Sequence, residues 1–343
     1  MPHILVCGYN HHGYLDSVAR GFAAAGWRVE LFAHRNAHQR KAVSGNPFSR
    51  LKSRFVLGRL NGRLQEAVRR GRPDAVLFIN AGPVLLPTLQ WVAERAASAL
   101  WAVDALESLQ LPPENLAAFH CRFLFEPADL GRAPAPCAYL PYGFDPQFYH
   151  PLGREAAYDV SFVGAPHENR LPFLDRVAAL CAERGLRFAV MGPGYRREAG
   201  LERNFPALAR ALAVDRPLDA AEINEIYNRS KIVLNIHHTQ SKDGINPRTF
   251  EIAGAGAFQL VDHKKMLERF FAPGEEIISY ADTGDALEKI LRYLRDDAGR
   301  MAVAARARER ALREHTFAAR CAGIARSLAA FAPPAPPLPA CPE

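Results

Sequence analysis

Residues 246 to 256, read as Asn-Pro-Arg-Thr-Phe-Glu-Ile-Ala-Gly-Ala-Gly, bring phosphate-type and ribose-type chemistry onto the first turns of one helix. Pro247 suits the opening of that helix, because proline has no N–H to lose there and its φ is already helical. Asn246 is then the natural cap. A helix starting here directs unsatisfied N–H groups and a partial positive charge at whatever lies before it, which makes its mouth a candidate anion site. Arg248 adds a full charge and a planar fork suited to phosphate oxygens. Glu251, one turn in, would repel a phosphate but pair well with two vicinal hydroxyls. Phosphate beside a diol is the chemistry of a nucleotide. A second reading has Glu251 only complementing the helix dipole and pairing with Arg248 at i, i+3. From these residues alone both readings stand.

The elements that must position this stretch alternate along the chain. Residues 3 to 7 (His-Ile-Leu-Val-Cys) form an apolar run ending in Gly8, as expected of a buried parallel strand. A loop containing His11, His12 and Gly13 follows, then helical spacing of Leu15, Val18, Ala19 and Phe22 up to Gly26, then the strand 29–32. A strand, a Gly-containing loop, a helix and a second strand are how nucleotide-binding α/β domains begin. No G-x-G-x-x-G fingerprint is present, which argues against a dinucleotide. Strand 75–79, helix 85–97 and strand 100–103 ending at Asp104 continue the series. Turn formers and aromatics crowd residues 140 to 151, and a new series starts at strand 159–163. Helix 169–183, strand 188–191, an irregular basic stretch 193–217, strand 232–236, the opening stretch and strand 257–261 come next. Strand 277–280 and helices from about 284 to 330 complete it.

At 343 residues the chain is long for one core and fits two domains of roughly 150 to 170 residues each. The boundary is expected near 153, giving domains 1–153 and 154–331, with the final helix able to cross back and residues 332–343 as a Pro-rich tail. Apolar residues make up 49% and charged residues 23%, the balance of a globular protein. Six scattered cysteines without a C-x-x-C pair suggest reduced thiols. Neither a signal peptide nor a run of about 18 apolar residues is present, so a cytoplasmic location is expected. Residues 35 to 72 hold eleven Lys and Arg against Glu66 alone, a surplus larger than the net charge of +7 of the whole chain. Two readings apply: a solvated helix face with a loop, or a specific anionic surface, such as membrane lipid at the inner membrane face or an acidic acceptor. Nucleic acid is the weaker partner, since no aromatic interleaving or known binding module accompanies the charges.

Two α/β halves, a turn-rich connector and a helix mouth with Arg and Glu resemble a GT-B glycosyltransferase. Leu-Pro-Tyr-Gly-Phe-Asp at 140–145 resembles the family's L-P-x-G-[VF]-D connector. Phe162-Val163-Gly164 with Arg170 six residues later, together with 246–256, resembles the CgeB-like branch, named for a spore-maturation protein. The resemblance covers about 159–325 well and the first half in outline. It implies an α/β GT-B fold of two facing Rossmann-like domains with a cleft between them. The first would hold the acceptor and the second a nucleotide-sugar donor. Glu251 matches the second acid of the family's E-x7-E motif, which hydrogen-bonds the ribose. Eight positions earlier stands Asp243, a shorter acid than the family's Glu. Arg170 falls where the family places a cation for the diphosphate; a surface arginine at a helix start is the other reading.

The expected donor-binding residues are Gly13, Arg170, His237, Asp243, Gly244, Asn246, Arg248, Thr249 and Glu251. His237 and His238 follow strand 232–236, where they could touch phosphate or sugar or simply pack the loop. His11, His12 and Asp104, at carboxyl ends of first-half strands, are the catalytic candidates, as general base or in positioning the sugar. No D-x-D motif is present, so no metal and no cofactor are expected. The co-substrate would be a UDP-, GDP- or dTDP-linked sugar, and Arg170, Arg248 and backbone N–H groups would neutralise the leaving diphosphate. The acceptor is left open among glycan, lipid, protein and small molecule. The function implied is hexosyltransferase-type glycosyl transfer. Alternatives are a GT-B-like sugar-nucleotide epimerase, or a non-catalytic module that binds a nucleotide or partner.

Overall fold

The computed structural model describes residues 1–10, 13–34, 47–109, 111–239 and 241–331, with the backbone alone for 47–53. The chain divides into two compact units, one formed by Met1–Leu140 with Arg320–Glu343 and the other by Pro141–Ala319.

The first unit runs β1 (His3–Gly8), α1 (Tyr14–Ala24), β2 (Arg28–Ala33), α2 (Pro47–Gly71), β3 (Ala75–Ile79), α3 (Leu86–Ala93) and β4 (Ala97–Trp101). It continues with α4 (Leu106–Leu109), α5 (Pro113–Leu116), β5 (Cys121–Leu124) and β6 (Cys137–Tyr139). Its six strands form one parallel sheet in the order β2-β1-β3-β4-β5-β6. β1, β3 and β4 are buried along their whole length, which explains why they read as apolar runs rather than as alternating strands. β4 starts three residues before the expected strand and the preceding helix ends early. Ala97, Ser98 and Ala99 lack the β-branched or aromatic side chains by which a strand is recognised.

The second unit begins with a connector and runs β7 (Tyr158–Val163), α6 (Leu171–Glu183), β8 (Phe188–Met191), α7 (Leu201–Asn204), α8 (Pro206–Ala211), β9 (Leu212–Val214) and α9 (Ala220–Asn228). It ends with β10 (Ser230–Asn235), α10 (Arg248–Gly254), β11 (Gln259–Asp262), β12 (Ile278–Tyr280), α11 (Thr283–Arg295), α12 (Asp297–Glu314) and the start of α13 (Phe317–Ala329). Its parallel sheet has the order β12-β11-β10-β7-β8-β9. Residues 193–217, expected to be irregular, hold a short 3-10 turn at Tyr195–Arg197, α7, α8 and the edge strand β9. Elements of three to six residues are too short to leave a periodic signal.

The connector is bound into the second unit, and the unit therefore starts at Pro141 rather than near 153. Phe144 N–H donates to the His315 carbonyl (3.1 Å) and Phe317 N–H to the Phe144 carbonyl (2.9 Å). Asn224 of α9 accepts from His150 N–H (3.2 Å) and donates to its carbonyl (3.0 Å), while Asn228 accepts from Leu152 N–H (2.6 Å). From Arg320 onward α13 belongs with the first unit, where the Cys321 thiol donates to the Val18 carbonyl at 3.5 Å. The Pro-rich tail 332–343 and residues 35–46 of the basic segment lie outside the described residues. Five described cysteines are free thiols. Among the described residues no helix is long and apolar enough to cross a membrane.

The buried ring of Phe144 lies against α10 where only a glycine fits, since a Cβ on Gly254 would meet Phe144 Cε2 at 2.2 Å. Gly254→Ala should destabilise the protein by about 1–3 kcal/mol through overpacking. Gly62→Ala, on α2 with no atom within 4 Å of the added methyl, should be neutral or stabilise by up to about 1 kcal/mol. Denaturant melting of both variants beside the parent protein checks the contrast.

Candidate functional site

In the second sheet the chain leaves β7 in one direction and β10 in the other, so their carboxyl ends flank a topological switch point. Doubly wound sheets bind ligands in the crevice there. The loop after β7 carries Gly164, His167 and Arg170, and the loop after β10 carries His237, His238, Asp243 and Gly244 before Arg248 opens α10.

Arg170 is 3% exposed, and its guanidinium lies inside the switch point. Nη1 donates to the Ala165 carbonyl (3.0 Å) and Nη2 to the Ile236 carbonyl (2.7 Å), while Nε is buried without a partner. The guanidinium carbon stands 5.5 Å from the centroid of the Phe162 ring. Among the described residues no carboxylate lies within ion-pair distance of it. Burial, then the charge of Arg248, push Arg170 down to about 10, against the opposing influence of Tyr195, Asp262 and Tyr280. A buried cation held by carbonyl dipoles, with a second cation acting on it, favours the arrival of an anion.

Two neutral histidines stand beside these arginines. The rings of His167 and His238 meet edge to face with centroids 4.0 Å apart. Burial, Arg170, His238 and Arg248 push His167 down to about 4, and burial and Arg170 lower His238. His237 is turned inward instead. Its backbone N–H donates to Asp262 Oδ1 (2.9 Å), its Nδ1 lies 2.7 Å from the same oxygen, and its Nε2 is buried without a partner. Asp262 is held below the usual carboxylate range by His237, whose hydrogen bonds outweigh the opposing effect of burial. Asn169 ties the two loops together by donating to the His237 carbonyl at 3.1 Å.

The walls are fixed by the fold. Gly192, at φ 141, lets the end of β8 approach β7 so closely that an added Cβ would sit 2.4 Å from the Gly164 carbonyl oxygen. Asp215 accepts the backbone N–H groups of Gly194 (2.6 Å), Tyr195 (3.1 Å) and Arg196 (2.9 Å). The buried Tyr195 hydroxyl donates to the Gly164 carbonyl at 3.0 Å.

α10 is seated by a buried amide network. Asn246 Oδ1 accepts Thr249 N–H (3.1 Å), so it caps the helix, while Pro247 already has helical φ −60 and ψ −30. Asn246 Nδ2 donates to Asn235 Oδ1 (2.8 Å), Asn235 Nδ2 to Thr249 Oγ1 (3.0 Å), and Gln259 Nε2 to the Thr249 carbonyl (2.8 Å). The polar groups of Asn246 and Thr249 are therefore engaged within the fold, aiming α10 at the switch point. Lys264 donates to the carbonyls of Ser241 and Lys242, both at 2.8 Å, holding the stretch before Asp243. Asp243 is half-buried and Gly244 buried in that loop, and Ser241 Oγ donates to the Gly244 carbonyl at 2.6 Å. Glu251 is 3% exposed on α10, and its charge helps burial to raise Tyr227 of α9, whose hydroxyl is buried without a partner.

The first-half candidates stand in the other unit. His11 and His12 lie outside the described residues. Gly13, at φ 75 before α1, is a first-unit residue, whereas the other expected donor residues are in the second. Asp104 is exposed after β4, where Asn80 Nδ2 donates to its Oδ2 (2.9 Å) and Asn80 Oδ1 accepts Val103 N–H (2.8 Å). Asn80 and Ala81 adopt positive φ, 61 and 43, at the end of β3, a conformation that costs energy for residues with a Cβ. Sequence reasoning did not single out His167, Asp215, Tyr227, Asn80 or Asp262. Only the strand order shows that the loops after β7 and β10 share one crevice, which is the signal that reaches His167.

Residues 170–326 match the family described as Glycosyl transferase-like. No curated protein matches the chain in sequence. Among solved structures, sucrose-phosphate synthase from Thermosynechococcus elongatus superposes with a TM-score of 0.67 at 14% identity, covering 96% of this chain and 100% of that one. Anabaena HepE in complex with UDP gives 0.64 at 11% identity, with 96% and 100% covered. AviGT4, a glycosyltransferase of avilamycin A biosynthesis, gives 0.65 at 13% identity, with 96% and 98% covered. The fold is that of the GT-B glycosyltransferases, an α/β architecture with two parallel six-stranded sheets.

Burial is the largest cause of the lowered His167 pKa, and an anion seated among Arg170, Arg248, His167 and His238 would offset the part that the neighbouring cations add, raising its affinity for a proton. Binding of inorganic pyrophosphate near pH 6 should therefore draw a proton onto His167. Calorimetric titration in buffers of different ionisation enthalpy should show greater proton uptake for the parent protein than for His167→Gln.

Proposed function

We propose that this protein is a glycosyltransferase that takes a sugar from a nucleoside-diphosphate donor held in the second unit. One observation carries the reading: the buried guanidinium of Arg170, without a carboxylate at ion-pair distance among the described residues, at the switch point of a doubly wound sheet. Arg170 and Arg248, with His167 and His238, take the diphosphate. Glu251 accepts from the ribose hydroxyls. Asp243 lies at the approach to the sugar, and His237, braced by Asp262, supports the loop beneath it. UDP is the first nucleotide to test, because HepE was solved with UDP and with UDP-glucose. We place the protein on the CgeB-like branch and in the cytoplasm.

In the transfer, the bond between the sugar's anomeric carbon and the β-phosphate oxygen breaks as a bond to the acceptor oxygen forms. The acceptor proton passes to a base, for which His11, His12 and Asp104 in the first unit are the candidates. The departing diphosphate leaves with additional negative charge. Fixed cations aimed at it lower the barrier because they need no reorganisation as that charge develops. With two arginines in that role the reaction is metal-independent.

Thermal melting with UDP, GDP, dTDP and CMP should show one nucleotide raising the midpoint, since a ligand that binds only the native state stabilises it by mass action. Glu251→Gln should weaken that nucleotide about 10- to 100-fold, the loss expected for a hydrogen bond to a charged group. Unchanged donor affinity would reject the ribose assignment. Release of nucleoside diphosphate from the matching sugar donor should persist in EDTA, and abolition by chelation would reject metal independence.

A further inference from the structure

Helix α2 has no part in the donor site, and its outer face is unusual. Over the residues whose side chains are described, Asn61, Leu64 and Val68 are buried, while Phe55, Arg59, Gly62, Glu66 and Arg70 are exposed at intervals of three and four. Phe55 is 64% exposed and Val56 37%, both in the midst of cations. The Arg59 guanidinium stands 5.7 Å from the Phe55 ring centroid. Glu66 is the one acid between residues 35 and 72; it pairs with Arg69 at 3.7 Å, and Arg70 reaches Glu30 of β2 at 3.4 Å. Arg54, Arg59 and Arg63 have no ion-pair partner among the described residues. Toward the other end of the helix, Arg69 and Arg95 both lie over Trp91 of α3, at 5.0 and 4.3 Å. In sequence the same character extends back through Arg35, Arg40, Lys41, Arg50 and Lys52 with no acid among them.

We propose that the outer face of α2 docks on an anionic phospholipid surface, with Arg54, Arg59 and Arg63 among the headgroups and Phe55 and Val56 inserted at the acyl boundary. The charge selects an anionic partner, since polybasic segments are drawn to anionic leaflets. The apolar side chains select a lipid one. An exposed phenylalanine and valine between arginines gain nothing from a purely ionic polyanion, but they suit a surface with an apolar interior a few ångströms below its charges. A convex helix flank also offers no groove to track a single nucleic-acid strand. The proposal rests on the first unit alone and does not require the donor reading.

The test is flotation of the full chain with vesicles of phosphatidylcholine alone and of phosphatidylcholine with phosphatidylglycerol, at low and high salt, beside a heparin column. The expected result is binding to the anionic vesicles only, weakened by salt. Removing two arginines in Arg59→Ala/Arg63→Ala should weaken it about 30-fold, at roughly a fivefold loss per charge. Phe55→Ala should weaken it about 10-fold. All three positions are exposed, so the variants should melt with the parent protein. Absence of binding to anionic vesicles overturns the proposal, as does retention on heparin without vesicle binding. Binding indifferent to both variants overturns the assignment to this face.

Discussion

Arg170 brings a full positive charge into the interior of the second unit and meets carbonyl oxygens there rather than a carboxylate. Desolvating an ion costs several kcal/mol unless other charges or dipoles replace water. The surroundings do so only in part, because Nε has no partner and Arg248 acts on the same guanidinium with the same sign. The fold has to hold two cations and two neutral histidines together. The walls are tied accordingly, from the Asp215 carboxylate that accepts the N–H groups of one turn to the Asn169 side chain that joins two loops. A cluster of that charge suits an anion.

The aim of α10 depends on a polar network that is itself buried. Asn235, Thr249 and Gln259 are nearly free of solvent, and each is bonded to another member. Buried amides left unpaired would be costly, so the network tolerates one arrangement of α10 against β10 and β11. On the opposite side Gly254 lets Phe144 reach the helix, which ties the connector to the same element. A helix of seven residues, too short to be stable by itself, is thus held from both sides.

Arg170 and the arginines of α2 carry the same charge in different settings. Arg170 is buried and held by carbonyl oxygens. The arginines of α2 stand in solvent, several of them over aromatic rings. An exposed guanidinium is well hydrated and contributes little to stability. Stability therefore does not account for a dense array of them beside exposed Phe55. Charge totals do not distinguish the two situations; burial does.

By itself the sequence determined the α/β class, most strand positions and the helix-opening motif at 246–251, because buried parallel strands and a proline-led cap depend on local composition. It also pointed to Arg170, Arg248 and Glu251 through motif resemblance. Only the tertiary structure decided that β7 and β10 lie side by side, since strand order is set by long-range pairing that leaves no mark in local periodicity. It decided too that Asn246 and Thr249 spend their polar groups on seating α10, that His167 joins Arg170, and that Asp262 braces His237. Each of these depends on residues 3 to 71 positions apart meeting at hydrogen-bond or ring-contact distance. Residue type along a chain does not carry that information, and packing does.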